Sequence, residues 1–184
     1  MEILLSILLG IGLAAACGFR VFVPPLVVSI AALSGHLTLA RGFSWMATWP
    51  ALVAFGLATL LEVAAYHVPW LDHLLDILAT PAAVVAGTVM AASAMGEMDP
   101  FLRWTLALIA GGGIAGLVQA VTVKGRLLSA VTTLGTANPL VATAETAASV
   151  AVSLLSVLFP ILAAVLVAGA LSLAVWLLLR RRAA

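Results

Sequence analysis

The chain has 184 residues, of which 65% are hydrophobic and only 8% are charged. A soluble domain carries about 25% charged residues, and a small soluble fold cannot hide this much apolar surface. The composition therefore excludes an ordinary soluble domain and predicts an all-α, polytopic bundle of transmembrane helices in one domain, residues 1–184. The net charge is +1 and no basic stripe is present, so nucleic acid is not expected as a partner.

The first apolar stretch runs from Ile3 to Leu33 and exceeds the roughly 20 residues that a membrane span requires. It is interrupted by Gly18-Phe19-Arg20 and then by Pro24-Pro25. Proline lacks an amide donor and disfavours helix in the residue before it. The sequence therefore predicts a broken helix, with a second piece over residues 24–34.

Further apolar segments cover approximately residues 48–67, 77–95, 102–122, 138–158 and 160–179, with a helical or re-entrant piece at 126–134. About six spans are predicted. The sequence Arg180-Arg181-Arg182 closes the last span, and basic residues are enriched on the cytoplasmic side of membranes, so the C-terminus is expected in the cytoplasm. Six crossings then place the N-terminus on the same side.

The unusual residues follow the same order in the two halves of the chain, residues 1–97 and 98–184: a basic residue, a proline that opens a helix, an acid and a second such proline. The first half has Arg20, Pro50, Glu62 and Pro81, and the second has Lys124 with Arg126, Pro139, Glu145 and Pro160. Three spans in each half give the halves opposite orientations. The order therefore predicts the 3+3 inverted repeat that many transporters share.

Two acids, Glu62 and Glu145, lie within predicted spans. A charge at the centre of a bilayer costs about 2.5–3.5 kcal/mol on insertion scales, so such residues usually have a specific role. One interpretation is a proton relay, or an anchor for a cation or polar substrate. The other is a packing lock in which each acid bonds to Arg20, to Lys124 or to a helix terminus.

Arg20 lies at the predicted helix break beside Gly18. A guanidinium group there suits a phosphate or a carboxylate, which it can bind through two parallel hydrogen bonds. An ion pair with Glu62 or Glu145 is the alternative. Lys124 and Arg126 are the other basic residues expected around the anion.

The segment between the second and third spans carries Asp72, His73 and Asp76. In a helix, two carboxylates four residues apart share a face with the imidazole and could bind a divalent ion. The spacing matches no dedicated metal motif, and a hydrated helix start is the alternative. No other cofactor is predicted.

Nearly the whole chain resembles a bacterial membrane family known as domain of unknown function 4126. The resemblance is carried by Gly18-Phe19-Arg20 with Phe22 and Pro24, by Glu62 with Pro69, Asp72 and Asp76, by Lys124 with Arg126, and by Asn138-Pro139 with Glu145. It implies a location in the bacterial inner membrane and adds Asn138 to the candidate substrate or ion site.

Three positions depart from the pattern of many relatives. This chain has Tyr66 and His67 where many relatives have an acid and a lysine. It also has Thr146 where many relatives have an aspartate. A mechanism that needs a denser acidic cluster is therefore not carried over to this chain.

The leading prediction is a small transporter or translocator for an anionic or phosphate-bearing substrate, free or lipid-linked, with proton coupling through the buried acids. Membrane lipids are the expected partners, and small-residue helix faces also permit a homo-oligomer. One alternative is an intramembrane lipid-phosphate hydrolase that uses Asp72, His73 and Asp76, although no set of nucleophile, base and orienting residue is visible. Another alternative is a structural or assembly subunit.

Overall fold

The computed structural model describes residues 2–66, 69–96, 98–134 and 136–180, with side chains for these residues except 69–76, 175 and 177–180. The described residues form seven α-helices, in agreement with the predicted all-α class. They are α1 Glu2–Cys17, α2 Val23–Leu33, α3 Trp49–Ala65, α4 Pro69–Ala94, α5 Pro100–Thr133, α6 Asn138–Leu158 and α7 Pro160–Arg180. A short 3-10 turn, Ser44–Ala47, precedes α3.

The outer faces of the helices are apolar. Three helical segments among the described residues are long and apolar enough to cross a membrane: Ile77–Ala94, Pro100–Thr133 and Asn138–Leu158. Shorter apolar helices cover Glu2–Cys17, Val23–Leu33, Trp49–Ala65 and Pro160–Ala174. Because large aliphatic side chains on these helices remain exposed, lipid rather than water is the solvent that suits this surface. The length and composition of these helices indicate a helical membrane protein.

The predicted helix break is present between α1, which ends at Cys17, and α2, which begins at Val23. Pro24 and Pro25 occupy the first turn of α2, where their missing amide donors are not needed. A Cβ atom on Gly18 would lie 2.5 Å from Val118 Cβ and 2.6 Å from the Ala115 carbonyl oxygen of α5. Glycine is therefore required at position 18 for the helix break to pack this closely against α5. Residues 18–22, which connect α1 to α2, are called the tip below.

Both ends of the α1–α2 pair lie at the same end of the bundle. Midway along α1, a Cβ atom on Gly10 would be 3.1 Å from the Ala91 backbone in the last turn of α4, so the first half of α1 lies toward the end of the bundle where α4 ends. After α2, the Ala40 amide donates to the Ser93 carbonyl oxygen at 2.8 Å. The two helices therefore form a hairpin that enters and leaves at one end of the bundle, with the tip inside the bundle.

The other helices alternate in direction around the hairpin. α6 runs opposite to α1, because Gly12 of α1 approaches Ser156 while the Ala16 carbonyl oxygen accepts from Ser149 Oγ at 2.9 Å. α4 also runs opposite to α1. The helices α3, α5 and α7 run in the same direction as α1. The start of α1 and the end of α7 thus lie at opposite ends of the bundle. The prolines and the tip turn the chain back after α1, and the six predicted crossings stay a prediction from hydropathy.

Two further features differ from the sequence predictions. Pro81 was expected to open a helix, but it lies inside α4, which begins at Pro69. The separate piece expected at residues 126–134 is the continuous end of α5. No proline occurs between Pro100 and Pro139, so the helix meets no local signal to break.

Candidate functional site

The Arg20 guanidinium group is anchored to α6 from the tip. Its Nη2 donates to the Ala142 carbonyl oxygen at 2.7 Å, and its Nε donates to Thr146 Oγ1 at 2.9 Å. Its Nη1 lies 3.4 Å from Glu145 Oε2. The side chain is only 1% exposed, so the tip carries a positive charge into the interior of the bundle.

Arg126 of α5 binds the same carboxylate. Its Nε lies 3.0 Å from both Oε1 and Oε2 of Glu145, and its Nη2 donates a short hydrogen bond to Oε2. Arg126 is 2% exposed and Glu145 is 6% exposed. A buried carboxylate that bridges two guanidinium groups is strongly coupled to both, because loss of one partner leaves an uncompensated charge.

Tyr66 joins the two arginines through its ring. It caps the C-terminus of α3, and its ring centroid is 4.1 Å from Arg20 Cζ and 4.0 Å from Arg126 Cζ. Each distance is within the range of a cation–π interaction, which is worth about 2 kcal/mol when desolvated. The aromatic ring therefore supports two like charges that would otherwise repel each other.

Glu62, one turn before Tyr66, binds the backbone of the tip rather than a side chain. Its Oε1 accepts from the Val21 amide at 2.7 Å, and its Oε2 accepts from the Phe22 amide at 3.0 Å. These amides precede α2 and have no intrahelical acceptor, and the N-terminal end of a helix favours negative charge. The Glu62 carboxylate therefore caps the second helix of the hairpin.

The five side chains Arg20, Glu62, Tyr66, Arg126 and Glu145 are called the charged cluster below. They come from the tip, α3, α5 and α6, so contacts between four parts of the fold meet in it. Two arginines and two glutamates give formal charges that cancel. Such a cluster satisfies its own charges as long as all of its members stay in place.

An apolar groove separates α3 from α4 beside the cluster. A cavity of about 450 Å³ is lined by Val21, Phe22, Ala58, Leu61, Glu62, Ala65, Tyr66, Leu78, Ala79 and Ala82. Leu61 and Leu78 are 71% and 58% exposed, which shows that the cavity reaches the lipid-facing surface. A second cavity of about 520 Å³ shares part of this lining and continues to Trp45 and Met90. We call the two cavities the lateral groove.

The structure brings together four of the six residues predicted for the substrate or ion site: Arg20, Glu62, Arg126 and Glu145. Lys124 is exposed, and a separation of two residues turns a helix by about 200°, so its side chain leaves α5 on the opposite side from Arg126. Asn138 begins α6 and is half-buried. It precedes Glu145 by seven residues, a rise of about 10.5 Å, and lies outside the cluster.

The side chains of the predicted metal residues Asp72, His73 and Asp76 lie outside the described part of the structure. Within that part, no group of three or more His, Cys, Asp or Glu residues could hold a metal ion.

Sequence analysis did not place Tyr66 or Thr146 in the site, and it gave a helix terminus, which the tip amides supply to Glu62, as one alternative partner of the acids. Tyr66 follows Glu62 by four residues, so the helical period puts both on one face of α3. That spacing could have identified Tyr66. The contact of Arg20 with Thr146 spans most of the chain and has no local signal in the sequence.

The comparisons with known proteins identify a family but no characterised relative. No curated protein and no solved structure matches the chain at a significant level. A family model described as domain of unknown function (DUF4126) matches residues 7–180. The residues that carry the sequence resemblance fall inside this range and include Arg20, Glu62, Arg126 and Glu145 of the charged cluster, and the chain belongs to the DUF4126 family.

Proposed function

We propose that the chain is a small membrane translocator that binds an anionic, phosphate-bearing group at the charged cluster. The observation that carries this proposal is the pair of buried arginines, Arg20 and Arg126, which meet at the tip of a re-entrant hairpin. Broken helices that place polar groups inside the membrane are the usual substrate sites of transporters. Guanidinium groups suit phosphate because they offer paired donors in a fixed geometry.

A lipid-linked substrate is favoured by the lateral groove. The groove has the polar atoms of Glu62 and Tyr66 at one end, and its other lining side chains are apolar. A phosphorylated headgroup would lie against the charged cluster, and its hydrocarbon tail would lie along α3 and α4. Because Leu61 and Leu78 are exposed to the lipid phase, the substrate could enter sideways from the bilayer. Membrane lipids are thus the proposed partners.

The proposed topology has five crossings, α3 to α7, together with the re-entrant hairpin. It replaces the six crossings predicted from hydropathy. Arg180-Arg181-Arg182 favours a cytoplasmic C-terminus by the positive-inside rule. The N-terminus then faces the opposite side, and membership of the family favours the bacterial inner membrane.

We also propose that the two halves of the chain are an inverted repeat. In support, α3–α4 and α6–α7 run in opposite directions, and Pro50 and Pro139 each occupy the second position of a helix. Each half contributes one arginine and one glutamate to the charged cluster. The relation does not extend to α5, which is continuous where the first half forms the hairpin.

Native mass spectrometry of the gently solubilised protein tests the proposed function. The wild type is expected to retain a phosphorylated lipid, and Arg20→Gln is expected to lose it. Arg41→Gln is the matched control, since Arg41 is an exposed arginine in the loop after α2. Retention by both variants, or no bound anion in the wild type at any pH, would contradict the proposal.

A structural or assembly subunit remains the second candidate, because each charged side chain of the cluster already has a protein partner. In that case Arg20→Gln lowers thermal stability and changes no ligand binding. A stoichiometric second polypeptide that co-purifies with the chain would favour this role. The hydrolase alternative and the homo-oligomer stay predictions from the sequence.

A further inference from the structure

The tip holds a site for a two-oxygen anion that the chain itself fills. The Val21 and Phe22 amides donate to separate oxygens of the same Glu62 carboxylate, at 2.7 and 3.0 Å. A phosphodiester presents a comparable pair of oxygens. We infer that Glu62 occupies the place of the substrate's phosphoryl group, and that this group binds when the Glu62 carboxyl becomes protonated and withdraws. The inference rests on the proposed function.

A donor on the adjacent residue supports an anion at this position. Arg20 immediately precedes the two amides in the chain, and its side chain is 1% exposed. Its Nη1 makes no hydrogen bond among the described residues, although it lies 3.4 Å from Glu145 Oε2. A buried N–H group that makes no hydrogen bond is unfavourable. A phosphoryl oxygen at the tip would satisfy it.

The Glu62 side chain has space into which it can withdraw. The cavity of about 450 Å³ is bounded by Val21, Phe22, Glu62 and Tyr66, so it begins directly beside the two amides. A rotation of the half-buried Glu62 side chain toward this cavity would free both donors. The same cavity is the end of the lateral groove, through which a lipid headgroup would arrive.

The net charge of the cluster explains why the phosphoryl group binds only when the Glu62 carboxylate has lost its charge. With Glu62 and Glu145 ionised, the two arginines are neutralised, and a further anion would be an uncompensated buried charge. With Glu62 protonated, the cluster carries one positive charge and matches a singly charged phosphodiester. One proton therefore accompanies each anion, so the pH dependence of binding should arise from Glu62.

Among the side chains that the structure describes, few other titratable groups face Glu62. They are Arg20 from the tip, Arg126 from α5, Cys17 from α1 and Tyr66 from α3 itself. α2 has no titratable side chain, and the described α4 residues on the cavity, Leu78, Ala79 and Ala82, are apolar. Of this set, only Glu62 is a carboxylate that binds the tip amides, so its protonation would both remove a negative charge and release those donors.

Binding measurements with two phosphodiesters test the inference on the full chain in detergent. The probes are dimethyl phosphate and dihexanoyl phosphatidylglycerol, which both keep a single negative charge between about pH 5 and about pH 8. For the wild type, affinity is expected to fall as the pH rises, approaching about tenfold per pH unit once Glu62 is ionised. Glu62→Gln should bind at least about tenfold more tightly than the wild type at about pH 8, without the pH dependence.

Two comparisons complete the design. Glu62→Asp keeps the charge and should keep the pH dependence, and thermal unfolding verifies that each variant is folded. If the wild type binds the probes but Glu62→Gln keeps the wild-type affinity and pH dependence, the inference is wrong and the proposed function stands. If neither protein binds either probe, the proposed function itself is contradicted. Tighter binding of the lipid than of dimethyl phosphate supports a lipid source, and equal affinities overturn it.

Discussion

Arg20 Nη1 lies 3.4 Å from Glu145 Oε2 inside the bundle, although the two residues belong to opposite halves of the chain. This contact ties the tip of the hairpin to α6. Arg126 binds the same carboxylate from α5, so one glutamate holds three parts of the fold together. The predictions below follow from this arrangement.

Loss of Arg126 should destabilise the protein far more than loss of its neighbour Lys124. Arg126→Gln leaves the Glu145 carboxylate buried with one partner fewer, and breaking a buried pair in this way typically costs about 3–5 kcal/mol. Lys124→Gln alters an exposed side chain outside the cluster and should leave stability close to that of the wild type. Denaturant unfolding in detergent micelles measures the difference.

The double variant Arg126→Gln/Glu145→Gln completes a thermodynamic cycle. Because the second change removes the charge that the first leaves unpaired, the combined loss should be smaller than the sum of the two single losses. Additive losses would show that the two side chains do not interact.

The aromatic ring of Tyr66 should contribute to the stability of the fold separately from the hydroxyl group of Tyr66. Tyr66→Phe keeps the ring beside Arg20 and Arg126 and removes only the hydroxyl, which also interacts with Arg126. Tyr66→Leu removes the ring and should lose about 1–2 kcal/mol more than Tyr66→Phe, because the two cation–π contacts are lost. Thermal unfolding of both variants compares them, and equal losses would assign the whole effect to the hydroxyl group.

Gly18→Ala should displace the tip. The new Cβ atom would lie 2.5 Å from Val118 Cβ and 2.6 Å from a backbone oxygen, and a backbone oxygen cannot move aside as a flexible side chain can. We expect a loss of about 1–3 kcal/mol in the free energy of unfolding. Gly125→Ala is the control, because no atom lies within 4 Å of its added Cβ and alanine favours helix. A wild-type stability for Gly18→Ala would mean that the tip packs less tightly against α5.

Cysteine labelling with a membrane-impermeant maleimide distinguishes the two topologies. The only native cysteine, Cys17, is buried, so single cysteines can be introduced at exposed positions. With a re-entrant hairpin, Glu2→Cys and His36→Cys should be labelled from one side of the membrane and Thr136→Cys from the other. Six crossings would instead place positions 2 and 136 on the same side.

Several local features were predictable because their causes are local. The bounds of α6 match the predicted segment 138–158, where Pro139 opens the helix. The break after Cys17 follows from Gly18 and the proline pair. By contrast, Pro81 was predicted to begin a helix, but it lies inside α4. Neighbouring helices can accommodate a proline within a helix of this kind.

The sequence by itself determined the all-helical class, the apolar character that suits a membrane and the bounds of helices such as α6, because hydropathy, proline and helix length act over neighbouring residues. Only the tertiary structure decided how the buried charges pair. It turned the first span into a hairpin, assigned Glu62 to the tip amides and Glu145 to both arginines, and excluded Lys124. These outcomes depend on contacts between distant segments, and a single chain in lipid offers several nearly equivalent partners for each buried charge until the helices pack.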